Sequence, residues 1–203
     1  MDAKRTVRRM LTRMSPLTER LIVNLTPGDP RPAGEAEKRA AVAVLLHDDP
    51  SGPRVLLMKR AERPGDPWSG HISLPGGRHE PFDPDLHATA IRETREELGV
   101  ELAGARYLGQ LTALMPRTSG PNGIMVTPFV FLTEVTVEPT CGPEALSAFW
   151  LPLETAAAGT YDSTYTYPGS QMTFPSWTYD GHVIWGLTWR ILGDVLAAAK
   201  HGP

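Results

Sequence analysis

The chain carries one cysteine, Cys141, among 203 residues. That excludes an intrachain disulfide and a zinc site built from cysteine pairs. A reducing, cytoplasmic setting is the expectation. Long apolar runs are also missing. The longest, Ala40–Leu46, is far shorter than the roughly 20 residues a spanning helix needs, so no membrane partner is expected. Charge of one sign is lacking too. The formal net charge of −3 provides neither a basic field for nucleic acid nor an acidic disordered tail. Basic residues do crowd the start (Lys4, Arg5, Arg8, Arg9, Arg13), but no apolar h-region follows them, which argues against a secretory signal. The same basic, acid-poor stretch has the composition of an organellar transit peptide; a solvated helix face is the plainer reading.

What is present suits one globular domain. Hydrophobic residues make up 41% of the chain and charged residues 21%, enough apolar material for a core. Residues 1 to about 25 show helical spacing at Val7, Met10, Leu11 and Met14. A Pro/Gly linker follows, so residues 1–35 read as a helix and linker ahead of a domain over 36–200. Within that domain Ala40–Leu46 and Val55–Met58 flank a turn-rich segment, as neighbouring strands do. A short strand is expected at Ile72–Leu74, leading into Pro75, Gly76 and Gly77. Further strand candidates are Tyr107–Leu114, Met125–Phe131 and Ala148–Leu151, with a loop over 116–122.

Two longer helices are predicted. The first covers 84–98, with Asp83 as N-cap, Pro84 as its first residue and Gly99 as its left-handed stop. The second runs over 183–200, with Trp185, Leu187, Ile191, Leu192, Val195 and Leu196 at its apolar positions. A short helix fits 153–158, and 159–176 reads as irregular. Strands alternating with so few helices imply an α/β (α+β) sandwich, a mixed sheet flanked by helices.

The chemistry gathers at Gly76-Gly77 and at Arg92-Glu93-Thr94-Arg95-Glu96-Glu97-Leu98-Gly99-Val100. Glu93, Glu96 and Glu97 are spaced i, i+3 and i+4, so a helix projects all three carboxylates from one side. Like charges so close repel unless something positive sits among them. A hard divalent cation such as Mg²⁺ prefers such oxygen ligands. Adjacent glycines let the backbone turn tightly enough for a carbonyl to reach the same ion. Taken alone, the acids would be a solvated helix face and the glycines an ordinary turn. No Gly-Lys-Ser or Gly-Lys-Thr follows, so the turn is not a Walker loop.

Gly77, five residues, Asp83, eight residues, then Arg92-Glu93-x-x-Glu96-Glu97-x-Gly99-Val100 resembles the Nudix box. The family pattern has Glu at the place of Asp83, seven residues in the second gap, and an apolar residue at the place of Thr94. The resemblance implies a Nudix-type α/β/α sandwich and hydrolysis of a nucleoside diphosphate linked to another group. It implies that Glu93, Glu96, Glu97 and the Gly76 carbonyl hold Mg²⁺ or Mn²⁺. Glu93 is the favoured base and Glu97 the second, and Arg92 orients the carboxylates, as a fixed guanidinium can.

Upstream, Leu56-Leu57-Met58-Lys59-Arg60-Ala61, then Gly70, then Leu74-Pro75-Gly76-Gly77 is similar to the motif of the Nudix group that cleaves coenzyme A. Met58, Ala61 and Leu74 replace its Thr, Ser and Phe, and Arg63 is the nearest substitute for a further Arg. The segment His182–Thr188 also looks like that group. The resemblance implies a small-molecule nucleotide substrate, coenzyme A or an acyl-CoA, cut to adenosine 3′,5′-bisphosphate and 4′-phosphopantetheine. Arg60, Gly70, Gly77 and Arg78 become substrate-binding candidates. Arg60, Arg63, Arg78 and Arg117 are those for a 3′-phosphate. A nucleoside diphosphate sugar, a dinucleotide or an oxidised nucleotide is the alternative substrate, and a non-catalytic binding module is the alternative class.

The remaining candidates carry blander readings. Asp83 is an N-cap before it is a distant metal-shell group. Glu144 is a surface acid before it is an extra ligand or base. His71, His79 and His87 are surface or supporting groups rather than ligands. Of Trp68, Trp177 and Trp185, Trp68 suits stacking on adenine best, because Trp185 falls in the predicted C-terminal helix. Cys141 reads as an inert thiol. The basic helix over 1–14 offers a surface for a homodimer.

Overall fold

The computed structural model describes residues 14–27, 38–66, 68–116 and 123–200. Helix α1 (Pro16–Asn24) comes first, capped by the Ser15 hydroxyl, which accepts from the Thr18 N–H. Strands β1 (Arg39–Asp49) and β2 (Gly52–Arg60) form a hairpin, followed by the short strands β3 (Ile72–Ser73) and β4 (Gly76–Arg78). Helix α2 (Leu86–Leu98), a 3₁₀ turn at Leu102–Gly104, β5 (Arg106–Gln110), β6 (Met125–Thr133) and β7 (Ala145–Pro152) follow. The chain closes with α3 (Leu153–Ala157), β8 (Asp162–Thr166), β9 (Thr173–Tyr179), β10 (His182–Trp185) and α4 (Gly186–Lys200).

The main sheet has seven strands in the order β3-β2-β1-β6-β5, with β4 added to β1 and β7 to β2. It is mixed: β1 and β6 run parallel, whereas the other pairs are antiparallel. Strand β1 is apolar on both faces, as a central strand covered on both sides must be. Ala41, Ala43 and Leu45 face α2, together with Phe129 and Phe131 of β6. Val44 and Leu46 point the other way, into a cluster with Leu21 of α1 and with Ile191, Leu192 and Val195 of α4. This is the α/β/α sandwich with a mixed sheet. Strands β8, β9 and β10 make a separate three-stranded sheet on the α4 side. Among the described residues no helix is long and apolar enough to cross a membrane.

Several boundaries differ from the sequence expectation. Helix α2 starts at Leu86, and its N-cap is Asp85, whose carboxylate accepts from the Ala88 N–H at 2.7 Å. Asp83 is therefore not the cap, and Pro84 precedes the helix. Residues 182–185 are a strand, not the first turn of the last helix, so Trp185 stands on β10. Gly186, at φ +64, breaks the strand and lets α4 begin. The stretch 159–176 contains β8 and the start of β9 rather than irregular chain. Strand β5 ends at Gln110, and Leu114 contributes only an isolated bridge to Val126. Of the helix predicted over 1 to about 25, the described part begins only at Pro16 behind the extended Ser15 cap; residues 1–13, most of the 27–35 linker and nearly all of the 116–122 loop lie outside the described residues.

Leu21 is fully buried, and the Asn24 amide donates to the Ala198 carbonyl at 2.7 Å, so α1 is docked on α4. Leu21→Ala is expected to lower unfolding free energy by about 2–5 kcal/mol. Urea denaturation of the full chain checks this; a change within error would mean that α1 is not held.

Candidate functional site

Helix α2 lies close to β1 because Ala41 and Ala43 leave room beneath Leu86, Ala90 and Leu98. Thr94 shares that buried face, where an apolar residue is the family habit. Its hydroxyl donates to the Ala90 carbonyl at 2.7 Å, which removes the cost of burying it. The adjoining face of the helix carries the acids towards β4.

The two glycines are needed where they stand. Gly76 has φ +150, and a Cβ there would run into the Ala41 carbonyl and Val42. The backbone bonds Ala43 N–H to Pro75 O and His79 N–H to Arg39 O bracket β4. Ladder alternation then leaves the Gly76 groups unused by β1. The Gly76 N–H donates instead to Glu97 Oε2 at 2.8 Å. A Cβ on Gly77 would occupy the space taken by the Glu93 carboxylate.

Arg92 organises the acids. Its Nε and Nη2 each donate to Asp83 at 2.9 Å, a two-pronged pair. Nη1 donates to Glu93 at 2.9 Å and to Glu96 at 3.0 Å, and Nη2 also reaches the Arg78 carbonyl at 3.1 Å. Those five contacts match the five N–H donors of a guanidinium. Asp83 is buried and also accepts from the Thr89 hydroxyl (2.9 Å) and the Glu80 N–H (3.1 Å). Arg92 above all holds the Asp83 carboxyl down to about 2. His79 Nδ1 lies 3.0 Å from the Thr89 hydroxyl and so backs this pair.

The acids closest to the glycines are strained electrostatically. Burial raises the Glu93 carboxyl above its ordinary value against the pull of Arg92, and Glu96 and Glu144 add to the rise. Glu97 is only 2% exposed. Burial pushes its carboxyl up to about 8; the Gly76 N–H and Arg60 oppose this, and the Glu93 charge adds to it. No three Asp, Glu, His or Cys side chains among the described residues form a ready-made metal cage. The reason is visible: Arg92 draws Glu93 and Glu96 towards itself, and Glu97 leans on Gly76. The donor set still fits a hard dication, because Glu93, Glu96 and Glu97 lie on one side of α2 and burial leaves the Glu97 carboxylate short of positive charge.

The other candidates are spread around this centre. Arg60, at the end of β2, pairs with Asp66 at 2.9 Å and is close enough to act on Glu97. Gly70 has φ +70 in the turn that ends at His71. The Arg78 side chain is exposed, and only its carbonyl enters the site. Glu144 is an exposed acid that pairs with Arg63 at 3.3 Å, and its charge also acts on Glu93 and Glu97, so it borders the site. Arg117 lies outside the described residues. His87 packs among Tyr107, Phe129 and Phe131, away from the acids. Trp177 is buried and bonded to Asp162, which removes it as a stacking group, whereas Trp68 is exposed. Cys141 is an exposed free thiol.

Sequence reasoning missed the segment that fixes the end of α2. The Thr140 and Gly142 N–H groups donate to the Leu98 and Glu97 carbonyls, each at 2.7 Å. A Cβ on Gly142 would strike the Glu96 carbonyl. Gly142-Pro143 signals a turn, but nothing local in it points to a helix more than forty residues earlier.

Comparison with known proteins agrees with this geometry. A family model described as the NUDIX domain matches residues 37–168. The Nudix hydrolase NudL of Photorhabdus laumondii, itself described as uncharacterized, is 31% identical over 172 residues, covering 82% of this chain and 87% of that protein. NudL of Yersinia pestis (strain Pestoides F) is 32% identical over 160 residues, covering 76% of each. Among solved structures, a binary complex of the C. elegans Ap4A hydrolase superposes with a TM-score of 0.51 at 21% identity. It covers 60% of this chain and 84% of that one, a likeness of fold.

Two acids should titrate in opposite senses. Asp83 sits below its ordinary 3.8, so its stabilisation is complete above that value and is lost as pH falls towards about 2. Asp83→Asn is expected to lower stability at neutral pH and to flatten the acid limb between pH 4 and 2, as followed by circular dichroism (about 2 units of pH window). Glu97 is raised, so the metal-free fold loses stability as pH climbs from 4.5 through about 8. Glu97→Gln should raise the Tm of metal-free protein at pH 9 by about 2–4 °C for each kcal/mol relieved, with no gain at pH 4. Calorimetry at the two pH values decides it; an equal shift at both would remove the titration as its cause.

Proposed function

Because the chain belongs to the Nudix family of hydrolases, which cut diphosphate linkages, we propose that its substrate is coenzyme A or an acyl-CoA. Water cleaves the diphosphate, leaving adenosine 3′,5′-bisphosphate and 4′-phosphopantetheine, which keeps its acyl group where the substrate is an acyl-CoA. One observation carries the reading: the segments similar to the coenzyme A motif meet the acid site directly. Strand β2 ends in Arg60, which acts on Glu97, and β4 opens with Gly76, which is hydrogen-bonded to it.

Glu93, Glu96, Glu97 and the Gly76 carbonyl are the groups that would hold Mg²⁺ or Mn²⁺. Such an ion, when bound, neutralises charge on the diphosphate and acidifies water. The chain's own residues do the rest. Arg92 is a positioning residue: spent on Asp83, Glu93, Glu96 and Arg78, it has no donor left for substrate. Glu93 takes the proton of the attacking water, since only one of its oxygens is given to Arg92 and it is less buried than Glu97, the second choice. Arg60, Gly70, Gly77 and Arg78 border the site as substrate contacts. The β1–β4 edge and the buried end of α2 keep bulk water from the Glu97 side.

In this reading the catalytic groups belong to the domain over 36–200, α1 of the 1–35 segment is docked on α4, and the basic stretch 1–14 is the surface available for a homodimer. The lone exposed thiol, Cys141, suits a reducing cytoplasm.

The test is a substrate panel with Mg²⁺ and with Mn²⁺, read by chromatography of the products. Coenzyme A should release adenosine 3′,5′-bisphosphate. Glu96→Gln and Glu97→Gln should each cut turnover by about 10²–10³-fold, with the folded state kept. Cleavage of a nucleoside diphosphate sugar, a dinucleotide or an oxidised nucleotide, with coenzyme A untouched, would replace the substrate and leave the hydrolase.

A further inference from the structure

The three-stranded sheet presents an aromatic group that the acids do not use. Tyr165 stacks on Trp185 with ring centroids 4.2 Å apart and 26° between planes. Phe174 lies 5.5 Å from Trp185, Tyr167 6.0 Å and His71 5.1 Å. Tyr165 and Trp185 lie at the ends of β8 and β10, Phe174 near the start of β9, Tyr167 just after β8 and His71 just before β3. The turn between β8 and β9 is closed by the Tyr167 N–H donating to the Met172 carbonyl at 2.9 Å. At its tip Tyr167 is 36% exposed and Met172 58% exposed.

Two features say what this surface can take. The Trp185 ring is engaged by Tyr165, Phe174, Tyr167 and His71 rather than free to stack on a flat base, while the exposed Tyr167 and Met172 offer an apolar ring and a pliable thioether that suit a flexible alkyl chain. The surface also joins the acid site at a definite remove. The Arg60 N–H donates to the His71 carbonyl at 3.0 Å, Arg60 acts on Glu97, and the His71 ring packs on Trp185. Arg60, His71 and Trp185 thus stand in succession between Glu97 and the tip. A group that reaches the tip must be carried away from the diphosphate on an extended arm.

We propose that the β8–β9 hairpin, with Tyr165, Tyr167, Met172, Phe174 and Trp185, is an apolar wall that binds the acyl chain of an acyl-CoA while the acids act on the diphosphate. The proposal rests on the coenzyme A reading and makes acylated substrate the better one.

The full-length protein is assayed for kcat/KM on free coenzyme A and on saturated acyl-CoAs of increasing chain length, alongside the double variant Tyr167→Ser/Met172→Ser. Both positions are exposed and outside the acid site. In the wild type a medium-length acyl chain should raise kcat/KM roughly tenfold over free coenzyme A, the effect of covering about two methylenes. The variant should lose that gain through KM and keep its rate on free coenzyme A. A gain that survives in the variant, or a wild type indifferent to chain length, overturns the wall while free coenzyme A cleavage still stands. A wild type that cuts neither free nor acylated coenzyme A overturns the substrate reading, and the wall with it.

Discussion

A guanidinium has five N–H donors, and in this chain Arg92 commits all of them to three carboxylates and one carbonyl. Everything near the glycines depends on that commitment. Without a fixed positive centre, Asp83, Glu93, Glu96 and Glu97 would be a repelling group partly stripped of water. With it, one acid becomes a permanent buried anion and two are drawn to a common side of α2. The arrangement also accounts for the departures at Asp83. An aspartate is one methylene shorter than a glutamate, and the segment before Arg92 is one residue longer than the family pattern. The two offset each other, since the Asp83–Arg92 pair closes with both bonds at 2.9 Å.

Arg92 stops short of Glu97. That carboxylate is set by backbone instead: its oxygen by the Gly76 N–H, its own carbonyl by the Gly142 N–H. Gly76 and Gly77 on β4 and Gly142 on a distant segment each lack a Cβ where the acidic helix or β1 comes too close to allow one. The helix is therefore gripped along its acidic side and at its end. A flexible carboxylate on a rigid, two-sided mount can exchange a proton or take a ligand without the helix moving.

The parts legible in the sequence were those encoded locally. The 3.6-residue rhythm of α2, the Gly99 stop and the acid spacing need only neighbouring residues, and β1 announced its two-sided burial as an unbroken apolar run. Errors arose where two local readings competed. Asp83-Pro84 and Asp85 are both sound helix starts, and the buried pull of Arg92 took Asp83 away from the cap. Val183, Ile184 and Trp185 fit the helical rhythm of α4 by coincidence. The Asp180-Gly181 pair, with φ +48 and +75, is a tight hairpin turn, and it carried the missed signal for β9 and β10. The Gly142 clip and the approach of Glu144 to the acids had no local signature, because each is a contact across the fold.

The opposed fates of Asp83 and Glu97 also separate structure from chemistry. Both are carboxylates on or beside one helix, both are buried, and one titrates near 2 while the other is pushed to about 8. The lower one has met its positive partner within the chain and has nothing further to gain from an ion. The higher one is a buried acid whose charged form is left short of compensation by the fold itself. Burial of that kind lowers stability, so a residue at this position that served only the fold would be better neutral. In the proposed reading a divalent cation would supply the missing charge in place of the proton, which would couple occupancy of the site to the very group that burial destabilises. Asp83 is thus the anchor of the acidic face, and under the proposed function Glu97 is the group through which the site would respond to a bound cation.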